Sequence, residues 1–260
     1  MTDAIKQRVQ HQFGRAAEAY VVSDVHAQGE SLGVLLAELP PRIEGEGLDV
    51  ATGAGHCALA IAPRLRQVVA ADLTEEMLAT TARLAADRGV ANLTTRRADA
   101  EALPFAGGAF DLVTCRLAFH HFPHPQQALA EMARVLRPGG WLGFTDNITV
   151  ADRQGAMVYN DFERRRDPSH FEVMPLARLI ATIEATGLHV TFTRRLTKEF
   201  EFHGWCDRQQ VSAGDREILL ATMRQLPPAL TPLFLPRWAD DTLYFTLWEA
   251  VVVAHKPALS

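Results

Sequence analysis

Leu48-Asp-Val-Ala-Thr-Gly53-Ala-Gly55-His-Cys-Ala-Leu59 is the stretch that decides the fold. An apolar run closes on an acidic residue, passes through a glycine-spaced turn and continues as an alanine- and leucine-rich helix. A strand feeding a tight turn feeding a helix makes a crevice for a nucleotide-like ligand. Glycines let the ligand approach the backbone, and the helix start offers free N–H donors. Gly53-Ala-Gly55-His-Cys-Ala58 also fits the dinucleotide fingerprint G-x-G-x-x-A, with Asp72 near the distance expected of a ribose-binding acid. Alone, the stretch admits a nicotinamide-dependent oxidoreductase, and its small residues would equally serve close packing of helix on strand.

Working outward, apolar runs alternate with helical periodicity. The first strand spans about 47–51 and its helix reaches about Leu65. A second strand, 67–71, ends at Asp72; Thr74 is placed to cap the next helix, and Glu75-Glu76 suit the positive end of its dipole. A short third strand, 93–98, ends at Asp99, and a fourth covers 110–115. A helix starting at Pro125 buries Leu129, Met132, Val135 and Leu136 and stops at Arg137-Pro-Gly-Gly140, before a fifth strand at 141–146. Upstream, Ile5, Val9, Phe13, Ala17 and Tyr20 mark an amphipathic helix with a break expected at Gly14, and a second helix is expected to start at Ser23. Downstream lie a helical stretch at 152–170, a helix from Pro175, a strand at 188–193, one or two short helices within 204–226, and a long apolar strand at 243–255.

Strands alternating with helices give an α/β fold, a mostly parallel sheet of seven strands with helices on both faces. Right-handed crossovers place every strand's C-terminal end on one edge. Ala51-Thr-Gly53, Asp72, Asp99-Ala100, Arg116 and Asp146-Asn147 should converge there, where ligands bind in open α/β sheets. The divisions expected are a helical cap at 1–42, a ligand-binding core at 45–147 and a helical insertion with C-terminal strands at 148–260, all within one domain.

Composition narrows the class. The net charge of −5 disfavours nucleic acid as a partner. Three cysteines, Cys57, Cys115 and Cys206, stand too far apart for a disulfide framework or a four-cysteine zinc site. No apolar run reaches the roughly 20 residues that span a bilayer, and the N-terminus lacks the apolar core of a secretory signal. A cytoplasmic protein is expected, with the oligomeric state open.

Four stretches together resemble one family: the glycine turn after Leu48-Asp49, Asp72-Leu-Thr-Glu-Glu-Met-Leu78, Ala98-Asp-Ala-Glu-Ala-Leu-Pro-Phe105 and Arg134-Val-Leu-Arg-Pro-Gly-Gly140. In this order they resemble class I S-adenosylmethionine-dependent methyltransferases, in the branch of the ubiquinone/menaquinone-biosynthesis enzymes. The resemblance implies a Rossmann-like three-layer sandwich with an antiparallel strand near the C-terminus and a cap of N-terminal helices. Ala51 departs from the family, which often has glycine there. The resemblance implies that Gly53 and Gly55 let the backbone approach the methionine moiety, and that Asp49 fixes that loop directly or through the ligand's ammonium group. It further implies that Asp72 accepts both ribose hydroxyls, that Asp99 and the Ala100 N–H meet the adenine, and that Leu73 and Leu103 flank it. Arg116 would brace the ligand loop; Phe13 and Tyr20 on the N-terminal helix could close over the ligand, and their helical spacing fits plain packing equally well.

Cys115-Arg-Leu-Ala-Phe-His-His-Phe-Pro-His124 follows the fourth strand, where methyl donor and acceptor would meet. His120 and His121 are the candidate catalytic residues, because histidine titrates near neutrality and can take a proton from an acceptor. One of them would equally serve to pack or cap the turn. The spacing of Cys115, His120, His121 and His124 matches no zinc pattern, so no metal is expected. The activity implied is methyl transfer to carbon or oxygen of a small molecule. The alternatives are the nicotinamide enzyme and a non-catalytic module that binds the same ligand.

Overall fold

The structure is a computed structural model that describes residues 2–21 and 29–258. Its centre is an eight-stranded mixed sheet in the order β3-β2-β1-β4-β5-β8-β6, with β7 pairing off β8. The strands are β1 (Glu46–Val50), β2 (Gln67–Asp72), β3 (Leu93–Arg97), β4 (Phe110–Arg116), β5 (Leu136–Ile148), β6 (His189–Glu201), β7 (Arg237–Ala239) and β8 (Thr242–His255). β1 to β5 pair in parallel, whereas β8 runs antiparallel to β5, β6 and β7. β7 raises the expected seven strands to eight; three exposed residues after a proline-rich connection carry no apolar alternation to read.

The helices are α1 (Thr2–Val21), α2 (Glu30–Glu38), α3 (His56–Ile61), α4 (Glu75–Asp87), α5 (Pro125–Val135), α6 (Arg153–Arg166), α7 (Leu176–Glu184), α8 (Phe202–Asp207), α9 (Ala213–Arg224) and α10 (Thr231–Phe234). One sheet face packs on α5 and α7 through Leu129, Met132 and Ile183; the other packs on α2 and α3 through Leu35, Ala58 and Ile61. β8 shows why the sheet needs both layers. Ala250, Val252 and Ala254 enter the first core, Val251 and Val253 the second, and all are buried. Each fully buried valine, leucine or phenylalanine contributes about 1.5–3 kcal/mol over exposure, so neither face tolerates losing its helices.

Several local expectations are corrected. α1 runs through Gly14 without a break. The helix after the glycine turn ends at Ile61 and gives way to a 3-10 turn at Ala62–Arg64, because Pro63 removes a backbone donor. Leu136 belongs to β5, not to the preceding helix. Thr74 makes no side-chain cap; the Asp72 carboxylate takes its N–H instead, at 2.9 Å. α2 starts after Gly29, and Ser23, the expected cap, lies outside the described residues.

The strand order positions the site. After β1 the chain moves outward through β2 and β3, then returns to lay β4 on the other side of β1. The loops leaving β1 and β4 therefore diverge, and a crevice opens between them at the C-terminal edge. A second feature lies beyond that edge. β5 ends opposite Trp248, but β8 and β6 remain paired further, from Thr197↔Trp248 to Glu201↔Tyr244. This two-stranded extension, backed by an aromatic core of Tyr159, Phe162, Trp205, Phe234 and Phe245, stands as a wall above the crevice.

Candidate active site

The loop after β1 is set by backbone conformation. Ala51, Gly53 and Gly55 all have positive φ, at 53°, 55° and 84°. A side chain at Gly53 would meet nothing within 4 Å, so the backbone there faces open space. Gly55 faces the protein: a Cβ would lie 2.6 Å from Thr81 Cγ2. Thr81 Oγ1 in turn donates to the Gly53 carbonyl at 2.8 Å. Asp49 lies beneath, buried, accepting from Thr52 Oγ1 and Thr114 Oγ1, each at 2.6 Å. Burial pushes its carboxyl above the usual range, and these hydroxyls only partly offset that.

A cavity of about 1020 Å³, partly open to solvent, occupies the crevice. Asp49, Ala51, Gly53, Asp72, Leu73, Asp99, Ala100 and Arg116 all line it, so eight expected residues meet in one place. Gly55 and Leu103 do not line it: Gly55 packs against Thr81, and Leu103 is buried in the core. The side chain of Tyr20 lies outside the described residues. Asp72 accepts from the N–H groups of Gly53 and Thr74, each at 2.9 Å, which aims its carboxylate across the glycine turn. Its pKa is raised by burial, against those two donors.

α1 closes the cavity, with Lys6, Val9 and Phe13 in its lining and Gln10 Nε2 bonded to the Leu73 carbonyl at 3.1 Å. Lys6 Nζ bridges Asp99 at 2.6 Å and Glu101 at 2.5 Å. Burial alone would lower the Lys6 pKa, but the two carboxylates outweigh it and the net shift is upward. Glu101 also accepts the His124 N–H at 2.7 Å. Neither Lys6 nor Glu101 was singled out in the sequence. The acid pair flanking Ala100 carries a signal, but its partner sits 93 residues upstream of Asp99.

The histidines separate. A 3-10 turn at Phe119–His121 follows β4, and successive residues of such a turn project about 120° apart. Phe119 enters the core against Phe144, with centroids 5.1 Å apart. His121 lines the first cavity, its ring edge-on to Phe13 at 5.0 Å. Its Nδ1 donates to the Ser169 carbonyl at 3.1 Å, and Ser169 Oγ donates to Asp167 at 2.5 Å. Burial, then the neighbouring His120, lowers the His121 pKa to about 4, so it is neutral at physiological pH.

His120 turns away from the first cavity and lines a second, of about 670 Å³. Its Nδ1 lies 2.6 Å from Asp146 Oδ1, and its backbone N–H donates to Asp146 Oδ2 at 3.0 Å. Asp146, expected at the ligand edge, thus orients His120, while Asn147 lines the second cavity. Glu163 and Arg166 from α6, Asp167 just past its end, Lys198 and Phe200 from β6, and Trp205 from α8 complete much of its wall. The two cavities share Phe13, Leu117 and His121. Among the described residues, no group of three or more His, Cys, Asp or Glu side chains is placed to hold a metal ion. No helix among them is long and apolar enough to cross a membrane.

Two cavities that share part of their lining suit a transferase, and comparison with known proteins points the same way. Residues 48–144, from β1 into β5, match the methyltransferase-domain family. The chain is 34% identical over 210 residues to "Uncharacterized methyltransferase YcgJ" of Bacillus subtilis (strain 168), covering 81% of this chain and 83% of that one. The crystal structure of YcgJ matches with a TM-score of 0.84 at 28% identity, covering 88% of this chain and 99% of that one. Ubiquinone/menaquinone biosynthesis C-methyltransferase UbiE of Pseudomonas entomophila (strain L48) is 34% identical over 213 residues, 80% of this chain and 70% of that one. With this likeness running through sequence and backbone alike, the chain belongs to the methyltransferase family.

Proposed function

We propose that the protein transfers a methyl group from S-adenosylmethionine to carbon or oxygen of a small-molecule acceptor, releasing S-adenosylhomocysteine. The observation that carries this is the meeting of Asp72, Asp99 and the open backbone face of Gly53 in one cavity. The donor set fits the group: Asp72 for the ribose hydroxyls, Asp99 and the Ala100 N–H for the adenine, Leu73 beside it, and the loop of Ala51 and Gly53 for the methionine moiety. Asp49 acts from beneath that loop through Thr52, while Arg116 lines the same cavity and reaches Ser31 Oγ of α2 at 3.4 Å. Bound S-adenosylmethionine supplies a methyl group already activated on a sulfonium. The chain then contributes positioning and exclusion of water, with α1 and the β6–β8 wall as the covers.

A nicotinamide reading accounts for the glycine turn and Asp72 but gives Asp99 no role. The relative named as a C-methyltransferase in quinone biosynthesis supports a small-molecule acceptor. We further take the chain as one cytoplasmic domain without a nucleic-acid partner. Titration calorimetry tests the donor. Binding of S-adenosylhomocysteine in the micromolar range, with none of NAD, is expected; NAD binding without S-adenosylhomocysteine binding refutes the proposal. Transfer of labelled methyl to a small molecule then separates an enzyme from a binding module.

A further inference from the structure

We propose that His120 is the general base of the reaction, oriented by Asp146, and that the second cavity takes an acceptor that loses a proton as it is methylated. Such an acceptor is a hydroxyl or carbon acid, not an ammonium. This rests on the S-adenosylmethionine reading and deepens it. Asp146 only accepts, so Nδ1 of His120 carries the proton of their 2.6 Å bond, and in the neutral ring Nε2 is the nitrogen that holds the lone pair. The turn does not need the ring for its own stability. The backbone N–H groups of His120 and Asn147 already hold Asp146, at 3.0 and 2.6 Å. A ring with one nitrogen fixed on a buried carboxylate, lining a cavity that shares Phe13, Leu117 and His121 with the first, is arranged to take a proton there.

The surroundings choose between acceptors. Glu163 and Arg166 face His120 from α6, Asp167 from just past its end, Asp146 from β5, Lys198 from β6, Arg208 from the end of α8, and His121 and His170 from adjoining turns. Asp167 is engaged by Ser169 and Gln209, and burial pushes Glu163 towards its neutral form. Lys198 is ion-paired with buried Glu249. Arg166 and Arg208 stand among these acids, so negative charge developing on an acceptor that gives up its proton meets cations of the wall. Burial alone would lower the His120 pKa; the Asp146 charge and hydrogen bond outweigh it, with Glu163 and Asp167 adding, and the net shift is upward. In the step, the acceptor's O–H or C–H bond breaks and its proton passes to Nε2. The electron pair left behind forms the bond to the methyl carbon, while the carbon–sulfur bond breaks and its pair stays on the thioether. His120 then returns the proton to solvent.

The test compares acceptors that carry the proton with one that has already lost it. Labelled methyl transfer is measured to weakly acidic phenols and 1,3-diketones, to a strongly acidic nitrophenol ionised at the assay pH, and to alkylamines. His120→Gln should lower kcat/KM about 100-fold or more on the protonated phenols and diketones. The loss on the nitrophenolate should stay under about 10-fold, because no proton remains to be removed. S-adenosylhomocysteine affinity should be unchanged in the variant. For wild type, kcat/KM should rise with pH through the His120 titration, read independently by nitrogen-15 NMR of the histidine rings, and Asp146→Asn should lower that midpoint. Equal losses on ionised and protonated acceptors overturn the base, as does a neutral His120 protonated on Nε2. Transfer to amines alone, or to none of the phenols and diketones while S-adenosylhomocysteine still binds, overturns the acceptor class. Failure to bind S-adenosylhomocysteine refutes the donor reading instead.

Discussion

Gly55→Ala should disable the glycine turn, by an amount the geometry sets. The residue sits at φ 84°, where a β-carbon costs about 1–2 kcal/mol. The new methyl group would also lie 2.6 Å from Thr81 Cγ2 and 2.8 Å from its Oγ1. Thr81 is fully buried, and its Oγ1 donates to the Gly53 carbonyl. It cannot rotate clear without breaking a bond worth about 1 kcal/mol. Overpacking of this kind costs about 1–3 kcal/mol, so the whole change should cost about 2–5 kcal/mol. Against a typical domain stability of about 5–15 kcal/mol the variant should remain folded. Urea unfolding followed by circular dichroism measures the loss, and calorimetry should show S-adenosylhomocysteine binding at least about 10-fold weaker, since Gly53 moves with its neighbour. Thr81→Ser removes Cγ2 and keeps Oγ1, so the double variant should regain the part due to that methyl and retain the φ penalty. A loss below about 0.5 kcal/mol, or strict additivity of the two substitutions, would refute the reasoning.

Asp72→Asn should weaken S-adenosylhomocysteine binding by roughly 1.5–3 kcal/mol, the worth of hydrogen bonds to a charged acceptor; unchanged affinity in calorimetry means the ribose is held elsewhere. Ala51→Gly relieves a non-glycine φ of 53° and should raise stability by about 1 kcal/mol, read as a higher urea midpoint at unchanged slope; a lower midpoint contradicts it. His121 has a folded pKa of about 4, below its unfolded value of about 6.5. The unfolded chain therefore takes up the proton first as pH falls, and up to about 3 kcal/mol of stability should be lost between pH 6.5 and 4. His121→Asn should flatten that segment of the stability–pH curve, and an equally steep curve in the variant would show that other groups cause it.

The lining of the first cavity, proposed to hold S-adenosylmethionine, was legible because its residues are local in sequence. Ala51 and Gly53 follow one strand, Asp72 ends the next, and Asp99 and Ala100 follow the third. Parallel pairing then brings strand ends together without further information. What escaped was long-range or conformational. Lys6 reaches Asp99 from a helix whose periodicity signals only packing. Gly53 and Gly55 look alike in sequence, yet one faces open space and the other Thr81. Leu103 shares a run with Asp99 and Ala100, but the chain turns at the Asp99↔Ala102 bridge and buries it.

The acceptor half was hidden for a reason of register. β6 alternates exposed and partly buried residues along most of its length, and nothing in that pattern says where its partner β8 outlasts β5. Only the pairing shows that Lys198 stands opposite Leu247 and Phe200 opposite Phe245, past the last rung between β5 and β8. There the two strands stop being a layer and become a wall. The same holds for the two histidines. His120 and His121 are adjacent and chemically equal in sequence, but a single 3-10 turn sends one to Asp146 and the second cavity and the other to Ser169 and the first. Their opposite pKa shifts follow from that divergence: the carboxylate at Asp146 holds His120 towards the charged form, and the charge it permits on His120 helps keep His121 neutral. The pair therefore works as a division of labour. In the proposed reading the neutral form of His120 takes the acceptor's proton, while His121 stays uncharged beside the first cavity.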